Sequence, residues 1–365
     1  MSEGGSDRPP TDGRRLALAG STREELAGLL APYVDRPFRA RQIWRQIHRR
    51  GATDLDQMTD LPLALRQRLA ERFTVGLPAP AGRHEASDGT VKALLRLEDG
   101  VLIEVVDIPD GGRRTLCLSS QAGCPLACQF CVTGYWGGGR NLTAAEIVGQ
   151  VLALRRPEQE SPAGVNLVFM GMGEPLLNLE AVEKALGVLT EFISWRRITV
   201  STVGILPALE KMASWPRRPN LAISLHAPDD ERRSRLMPIN RVYPLAEVLN
   251  AVGRWPLAPG RKVTLEYVLI AGFNDAPEDA GLLADRVRGF PVKVNLIPLN
   301  HDAVLGDRMR PPAATAVDAF RRRLVERGLV ATVRRRRGDD VSAACGQLRS
   351  REREPCGAAA RRLSI

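Results

Sequence analysis

Cysteine, histidine and aromatic residues are scarce in this chain: six, four and 5% of 365 residues. Six cysteines in so long a chain do not make the disulfide framework of a small secreted fold. Four scattered histidines offer little for a histidine-based metal site. Long apolar runs are lacking too: no stretch reaches the roughly 18 uncharged apolar residues that a membrane-crossing helix needs. The first twenty residues are polar and rich in glycine and proline, without the apolar segment of a secretory signal. The expectation is a cytoplasmic protein with no membrane partner, in which clustered cysteines serve as metal ligands or reactive thiols.

What is present is enough apolar sequence, 44%, to bury a large core in one domain with an appendage or in two moderate domains. Lysine and arginine number 52 against 42 acidic residues, a net charge of +10. That balance suits a polyanionic partner, and an arginine-rich solvated surface would give the same total. Two basic runs stand out. RARQIWRQIHRR (Arg39–Arg50) looks like a helix with Trp44 and His48 interleaved, and RRRR (Arg334–Arg337) lies just upstream of an isolated cysteine.

Hydrophobic periodicity divides the chain. Residues 1–20 are expected to be disordered, residues 21–75 to form a small helical domain, residues 76–114 a connector of antiparallel strands, and residues 349–365 a flexible basic tail. The connector strands are VKALLRL (Val91–Leu97) and VLIEVVDI (Val101–Ile108). Across 115–348, six apolar runs alternate with helical patterns: TLCLSS (Thr115–Ser120), VNLVFM (Val165–Met170), RITVST (Arg197–Thr202), LAISLH (Leu221–His226), VTLEYVLI (Val263–Ile270) and KVNLIPL (Lys293–Leu299). Such a series predicts an α/β parallel sheet, as an open doubly wound sheet or as an incomplete (β/α) barrel. The chemically interesting residues follow these runs: the cysteine cluster, GMGEPLLN (Gly171–Asn178), Ser201 and Thr202, Ser224 to His226, and Asn300. One active-site mouth at the C-terminal strand ends is the expectation, although Ser201 or His226 taken singly reads as a satisfied core polar group.

GCPLACQFC (Gly123–Cys131) sets Cys124, Cys128 and Cys131 in a C-x3-C-x2-C pattern with an aromatic residue before the last cysteine. Three thiolates without a fourth nearby ligand do not complete a zinc site. The pattern resembles the signature of the radical S-adenosylmethionine superfamily, which implies a [4Fe-4S] cluster with three cysteine ligands and S-adenosylmethionine on the open iron. GMGEP resembles the superfamily segment that holds the methionine amino group. The motifs TLCLSSQAGCPLACQFC, RNLTAAEIVGQV, FMGMGEPLLN, ITVSTVGILP, LAISLHAPDDERRSRLMPIN, LEYVLIAGFND, KVNLIPLN and RRRRGDDVSAACGQL, with FRARQIWRQIHRRGATDLDQMTDLP in the helical region, are similar to the adenine-C2 methyltransferases of 23S rRNA and tRNA. That resemblance runs from about residue 20 to about residue 348 and implies a partial (β/α)6 barrel core.

It also implies roles. Cys345 would carry a methyl group taken from one S-adenosylmethionine, and a second S-adenosylmethionine would supply the radical that activates it, so two are used per turnover. Cys117 would resolve the protein–RNA crosslink by forming a disulfide, and Glu104 would accept the C2 proton. Gly173, Glu174, Ser201, Ser224, Leu225, His226 and Asn300 would contact S-adenosylmethionine. By their residues alone, Cys117 and Cys345 read equally as buried packing, and Glu104 as an exposed edge-strand carboxylate. Val203 stands where the family commonly has serine, and Cys356 reads as an incidental tail thiol. The helical domain and Arg334–Arg337 are expected to bind RNA backbone. An external electron donor and a disulfide reductant are implied partners of a monomer. The alternatives are the sister subfamily that methylates adenosine C8 and a non-catalytic iron–sulfur RNA-binding protein.

Overall fold

The computed structural model describes residues 15–154, 164–300, 302–306, 309–343 and 346–348. The residues before 15 and after 348, and with them Cys345, His301 and Cys356, lie outside the described residues. The N-terminal unit begins earlier than its helical pattern suggests. Leu16–Ala17 (β1) pairs in parallel with Phe73–Thr74 (β2), and Leu18 and Ala19 are fully buried, so the expected disorder does not extend over residues 16–20. Between these strands lie helices α1 (Arg23–Leu30), α2 (Phe38–His48) and α3 (Leu63–Ala70). Thr22 and Glu25 form a capping box that starts α1, each bonded to the other's backbone N–H.

Ten strands then form one sheet, in the order β12-β11-β10-β9-β8-β7-β6-β5-β4-β3. Strands β3 (Ala79–Glu85), β4 (Val91–Arg96), β5 (Leu102–Asp110) and β6 (Arg113–Cys117) are antiparallel neighbours. From β6 the pairing is parallel through β7 (Val165–Phe169), β8 (Ile198–Thr202), β9 (Asn220–Ser224), β10 (Val263–Leu269), β11 (Val292–Pro298) and β12 (Ala331–Val333). Strands β3 and β12 were not among the expected runs. The first is mostly exposed and lacks alternation, and the second is three residues long.

The parallel strands follow one another in chain order without reversal. A doubly wound sheet requires a reversal at its switch point. Helices α4 (Ala144–Ala153), α5 (Leu179–Leu189), α6 (Leu206–Ala213), α7 (Asp230–Leu236), α8 (Leu245–Gly253), α9 (Pro277–Arg286) and α10 (Ala314–Glu326) connect them. Crossovers of one hand in unbroken order place the helices on one face and roll the sheet. The result is a partial barrel: β12 and β3 are the two ends of the sheet and do not pair.

The helical unit packs against α4 and α5. Trp44 and His48 stack on each other at 4.6 Å between ring centroids and meet Phe192, while Arg23 lies over the Trp44 ring and pairs with Glu191. Both rings are buried, so the aromatic residues of the basic run are core, and only arginines such as Arg41 and Arg45 face solvent. Among the described residues no helix is long and apolar enough to cross a membrane.

Candidate active site

The loop after β6 carries the three cysteines. Its course is set by backbone bonds from Cys124 N to Gly137 O (3.0 Å), Ala122 N to Arg140 O (2.9 Å) and Gln129 N to Leu236 O (2.8 Å), the last tying it to α7. Ala127, between two cysteines, takes a positive φ of 55°. Cys128 is buried, and Cys124 and Cys131 are partly exposed. Burial pushes the Cys124 thiol up to about 12, the neighbouring Cys131 adding to it, and Cys128 is raised for the same reasons. Three mutually repelling thiols need a cationic centre to become thiolates. No closed set of three or more His, Cys, Asp or Glu ligands is formed among the described residues. Three thiolates with no fourth protein ligand fit a [4Fe-4S] cluster that keeps one iron open.

Beside this loop runs Gly171–Pro175. Gly171 N bonds Leu118 O at 3.0 Å, and Ser120 N bonds Met172 O at 2.8 Å. Gly173 has φ +96°, and a Cβ there would lie 2.5 Å from the Cβ of Gln121, so only glycine fits. The Gln121 side chain in turn accepts the N–H of Glu174 at 2.9 Å. Glu174 itself is buried, its carboxylate accepting from Leu176 N (2.9 Å) and Val203 N (3.0 Å). Desolvation raises it to about 6 against the pull of these donors and of Thr202. Its charge is therefore a clasp between the loop and the end of β8. Residue 203 contributes its backbone N–H to that clasp, so valine serves as well as serine there.

Ser201, Leu225, His226 and Asn300 are buried at the ends of β8, β9 and β11, and Ser224 is half-buried. His226 adopts φ +60°, and its Nδ1 accepts from Val268 N at 3.0 Å, which leaves the proton on Nε2. Burial and the charge of Arg233 hold the imidazole down to about 3, so it is neutral. Its ring meets Phe130, the aromatic residue of the cluster loop, edge-on at 4.5 Å. Asn274 fixes the turn by donating to His226 O and Val268 O, both at 2.7 Å.

Arg233, fully buried on α7, escaped sequence reasoning. It donates to Val203 O (2.8 Å), Ser224 O (3.3 Å), Leu225 O (3.3 Å) and Asn240 Oδ1 (2.6 Å), so one guanidinium ties the ends of β8 and β9 together. In DERRSRL nothing separates it from the surface arginines beside it.

Glu104 and Cys117 meet on one sheet face. Cys117 pairs across to Val106, and Val106 to Lys92, while Glu104 precedes Val106 by two residues and so shares its face. Glu104 is 3% exposed, which excludes the edge-strand carboxylate, and Lys92 Nζ stands 3.5 Å from its Oε1. The opposite face buries a charge as well, Asp107 being clamped by Arg114 at 2.6 Å. Cys117 is 4% exposed.

The C-terminal segment reaches both parts. Gly346 O accepts from Val132 N at 2.6 Å, and Leu348 O from the Thr133 hydroxyl at 2.7 Å, on the cluster loop. Gly338 N bonds the carboxylate of Asp88 at 3.2 Å, and Ser342 O accepts from Lys92 Nζ at 3.2 Å, on the β3–β4 hairpin and β4. The arginine run is divided between structure and surface. Arg337 pairs with Asp88 and Asp110, Arg334 reaches Met170 Sδ at 3.7 Å, and Arg335 and Arg336 are exposed. Together with Ile108, Pro298, Asn300 and Ala343 the run lines a cleft.

Residues 118–283 match the family described as the Radical SAM superfamily, and residues 16–75 the ribosomal RNA large subunit methyltransferase N-terminal domain. The chain is 47% identical over 341 residues to a dual-specificity RNA methyltransferase RlmN of Anaeromyxobacter dehalogenans, covering 91% of each. It is 48% identical over 340 residues to the protein of the same name in Halorhodospira halophila, covering 91% of this chain and 93% of that one. The crystal structure of a radical SAM methyltransferase from Sphaerobacter thermophilus superposes with a TM-score of 0.87 at 44% identity, over 92% of this chain and 99% of that one. With the cysteine loop, the glycine-rich segment and the partial barrel in place, the chain belongs to the RlmN family of radical S-adenosylmethionine methyltransferases.

Proposed function

We propose that this protein methylates the C2 carbon of adenosine in RNA, at position 2503 of 23S rRNA and position 37 of tRNA, through a methylated cysteine and a transient protein–RNA crosslink. The observation that carries the reading is the convergence on one mouth of the cysteine loop, the Glu104/Cys117 sheet face and both flanks of Cys345. An adenine C2 is electron-poor and does not attack an electrophilic methyl group, so the carbon has to be delivered as a radical.

Cys124, Cys128 and Cys131 would hold a [4Fe-4S] cluster, and the Gly173–Glu174 segment, Ser201, Ser224, Leu225, His226 and Asn300 would hold S-adenosylmethionine. When bound, the cluster supplies the electron that cleaves S-adenosylmethionine to a hydrogen-abstracting radical. Cys345 first takes a methyl group by displacement from one S-adenosylmethionine. After hydrogen abstraction its S-bound carbon adds to C2. Glu104 receives the C2 proton as the adduct gives up its unpaired electron, for which the oxidised cluster would be the acceptor, and Cys117 then attacks the Cys345 sulfur of the closed-shell crosslink. That attack breaks the carbon–sulfur bond, leaves the electron pair and then a proton on the new methyl group, and yields a disulfide that an external dithiol reduces. Neutral His226 presents Nε2–H as a donor over the whole physiological range.

Reconstituted protein is expected to give 2-methyladenosine in both RNA types, read by mass spectrometry of the nucleosides. Cys345→Ala is expected to abolish product and crosslink, and Cys117→Ala to accumulate a nuclease-sensitive adduct. 8-Methyladenosine as the product would move the chain to the sister chemistry. Absence of 5′-deoxyadenosine would leave an iron–sulfur RNA-binding protein.

A further inference from the structure

Lys92 is among the largest fully buried side chains of the protein, at 2% exposure, and none of the roles above uses it. It is the second residue of β4, a strand that does not belong to the parallel core. Burying an ammonium group costs several kcal/mol unless its protons are met, and here two of the groups that meet them belong to separate parts of the reaction machinery. Nζ stands 3.5 Å from Oε1 of Glu104 and 3.2 Å from the carbonyl oxygen of Ser342. Ser342 lies three positions before Cys345 and adopts φ +50°, a conformation that a non-glycine residue holds only when its surroundings impose it. In register across the sheet, Lys92, Val106 and Cys117 stand side by side on β4, β5 and β6, with Glu104 diagonal to Lys92 on the same face.

A second set of contacts secures the same loop to the same hairpin. Asp88 accepts from Gly338 N at 3.2 Å, Asp340 accepts from Ser87 N at 2.9 Å, and Arg337 pairs with Asp88. These contacts are on the rim, where water competes for them. The Lys92 contact is inside.

We propose that Lys92 is a positioning residue that keeps two parts of the reaction machinery in register, giving the Glu104 carboxylate its counter-charge and place while pinning the Cys345-bearing loop to the same sheet face. The inference rests on the roles of Glu104 and Cys345 proposed above. Proton removal from the adduct then occurs only while the loop that carries the carbon is seated, because one ammonium group holds both.

Lys92→Met tests this. The variant should still methylate Cys345, seen by intact-protein mass, and should still form 5′-deoxyadenosine, yet RNA turnover should fall at least tenfold with the protein–RNA adduct accumulating. Lys92→Arg should restore a measurable part of turnover. In the cluster-loaded protein, amide hydrogen exchange over residues 338–343 should speed up in Lys92→Met and in the Lys92→Met/Glu104→Gln double variant. The double variant leaves no unpaired buried charge and so separates loop release from misfolding. Wild-type turnover in Lys92→Met, or unchanged exchange over 338–343 in both variants, overturns the proposal, as does loss of Cys345 methylation in step with turnover. Glu104→Gln alone distinguishes the underlying reading: if it turns over normally while Lys92→Met stalls, the base assignment is wrong and the role of Lys92 in seating the loop stands.

Discussion

His226, whose ring meets Phe130 of the cysteine loop, and Glu174 are buried titratable groups that act on stability in opposite senses. The imidazole is held near 3, below its ordinary 6.5, so the unfolded chain binds a proton that the folded one does not, and stability falls as the pH drops from 6.5 toward 3. Glu174 is raised from 4.5 to about 6, so the folded chain binds the extra proton, and stability rises as the pH drops from 6 to 4.5. The histidine shift is worth about 5 kcal/mol and the glutamate shift about 2 kcal/mol, so the histidine dominates. His226→Asn keeps an acceptor for Val268 N. Urea unfolding of the metal-free variant is expected to lack the histidine contribution, its difference from wild type changing by about 1.4 kcal/mol per pH unit across that window. An unchanged difference would mean that the ring is protonated or exposed.

Arg233 is a simpler case at the same scale. Its removal takes a buried donor from the carbonyls of Val203, Ser224 and Leu225, of which Leu225 O keeps the N–H of Ala227. Arg233→Met is expected to cost about 3 kcal/mol or more, read as a lower urea midpoint at unchanged slope, and lysine in its place should rescue little because one point charge cannot replace a five-donor fork.

At the scale of elements, loops after strands carry the site and glycines let them approach. Gly173→Ala drives a Cβ into Gln121 at φ +96°, whereas Gly137→Ala at φ +80° meets open space. The first is expected to abolish S-adenosylmethionine binding and cost about 3 kcal/mol, and the second to cost about 1 kcal/mol with binding retained; titration calorimetry and urea unfolding separate them. The helices start where their sequences say so. Thr143 and Glu146 form a capping box, and α4 begins at Ala144. Five parallel strands, β7 to β11, fall within one or two residues of the apolar runs, because a run buried on both faces leaves a continuous signal, and the first run overshoots the end of β6 by three residues. Strands β3 and β12 have no such signal: they are largely exposed edges, formed because a partner strand is already there.

For the whole molecule, net charge of +10 implies a strongly salt-dependent affinity for RNA. The surface divides the arginine run, so the contributions should divide as well. Neutralising exposed Arg335 and Arg336 is expected to reduce the slope of log affinity against log salt by about 1.5, whereas Arg337, already paired with Asp88 and Asp110, should contribute less. Equal effects from the two sets would show that the ion pairs open when RNA binds. The helical unit should meet RNA through arginines alone, since Trp44 and His48 are spent on Phe192.

Chemistry that depends on spacing along the chain was legible in the residues: three thiols within eight positions, a glycine-rich turn after a strand, and six β/α alternations that restrict the fold to a parallel sheet. Local geometry carries such signals, because a loop's ligands and a helix's cap are neighbours in sequence. Whether the sheet is open or rolled, which arginine is buried among three in DERRSRL, and that Lys92 meets Glu104 and the loop before Cys345 were decided by tertiary structure. Those outcomes join residues up to 250 positions apart. Burial is a property of what packs against a residue, and a charge becomes structural only when the fold surrounds it with partners.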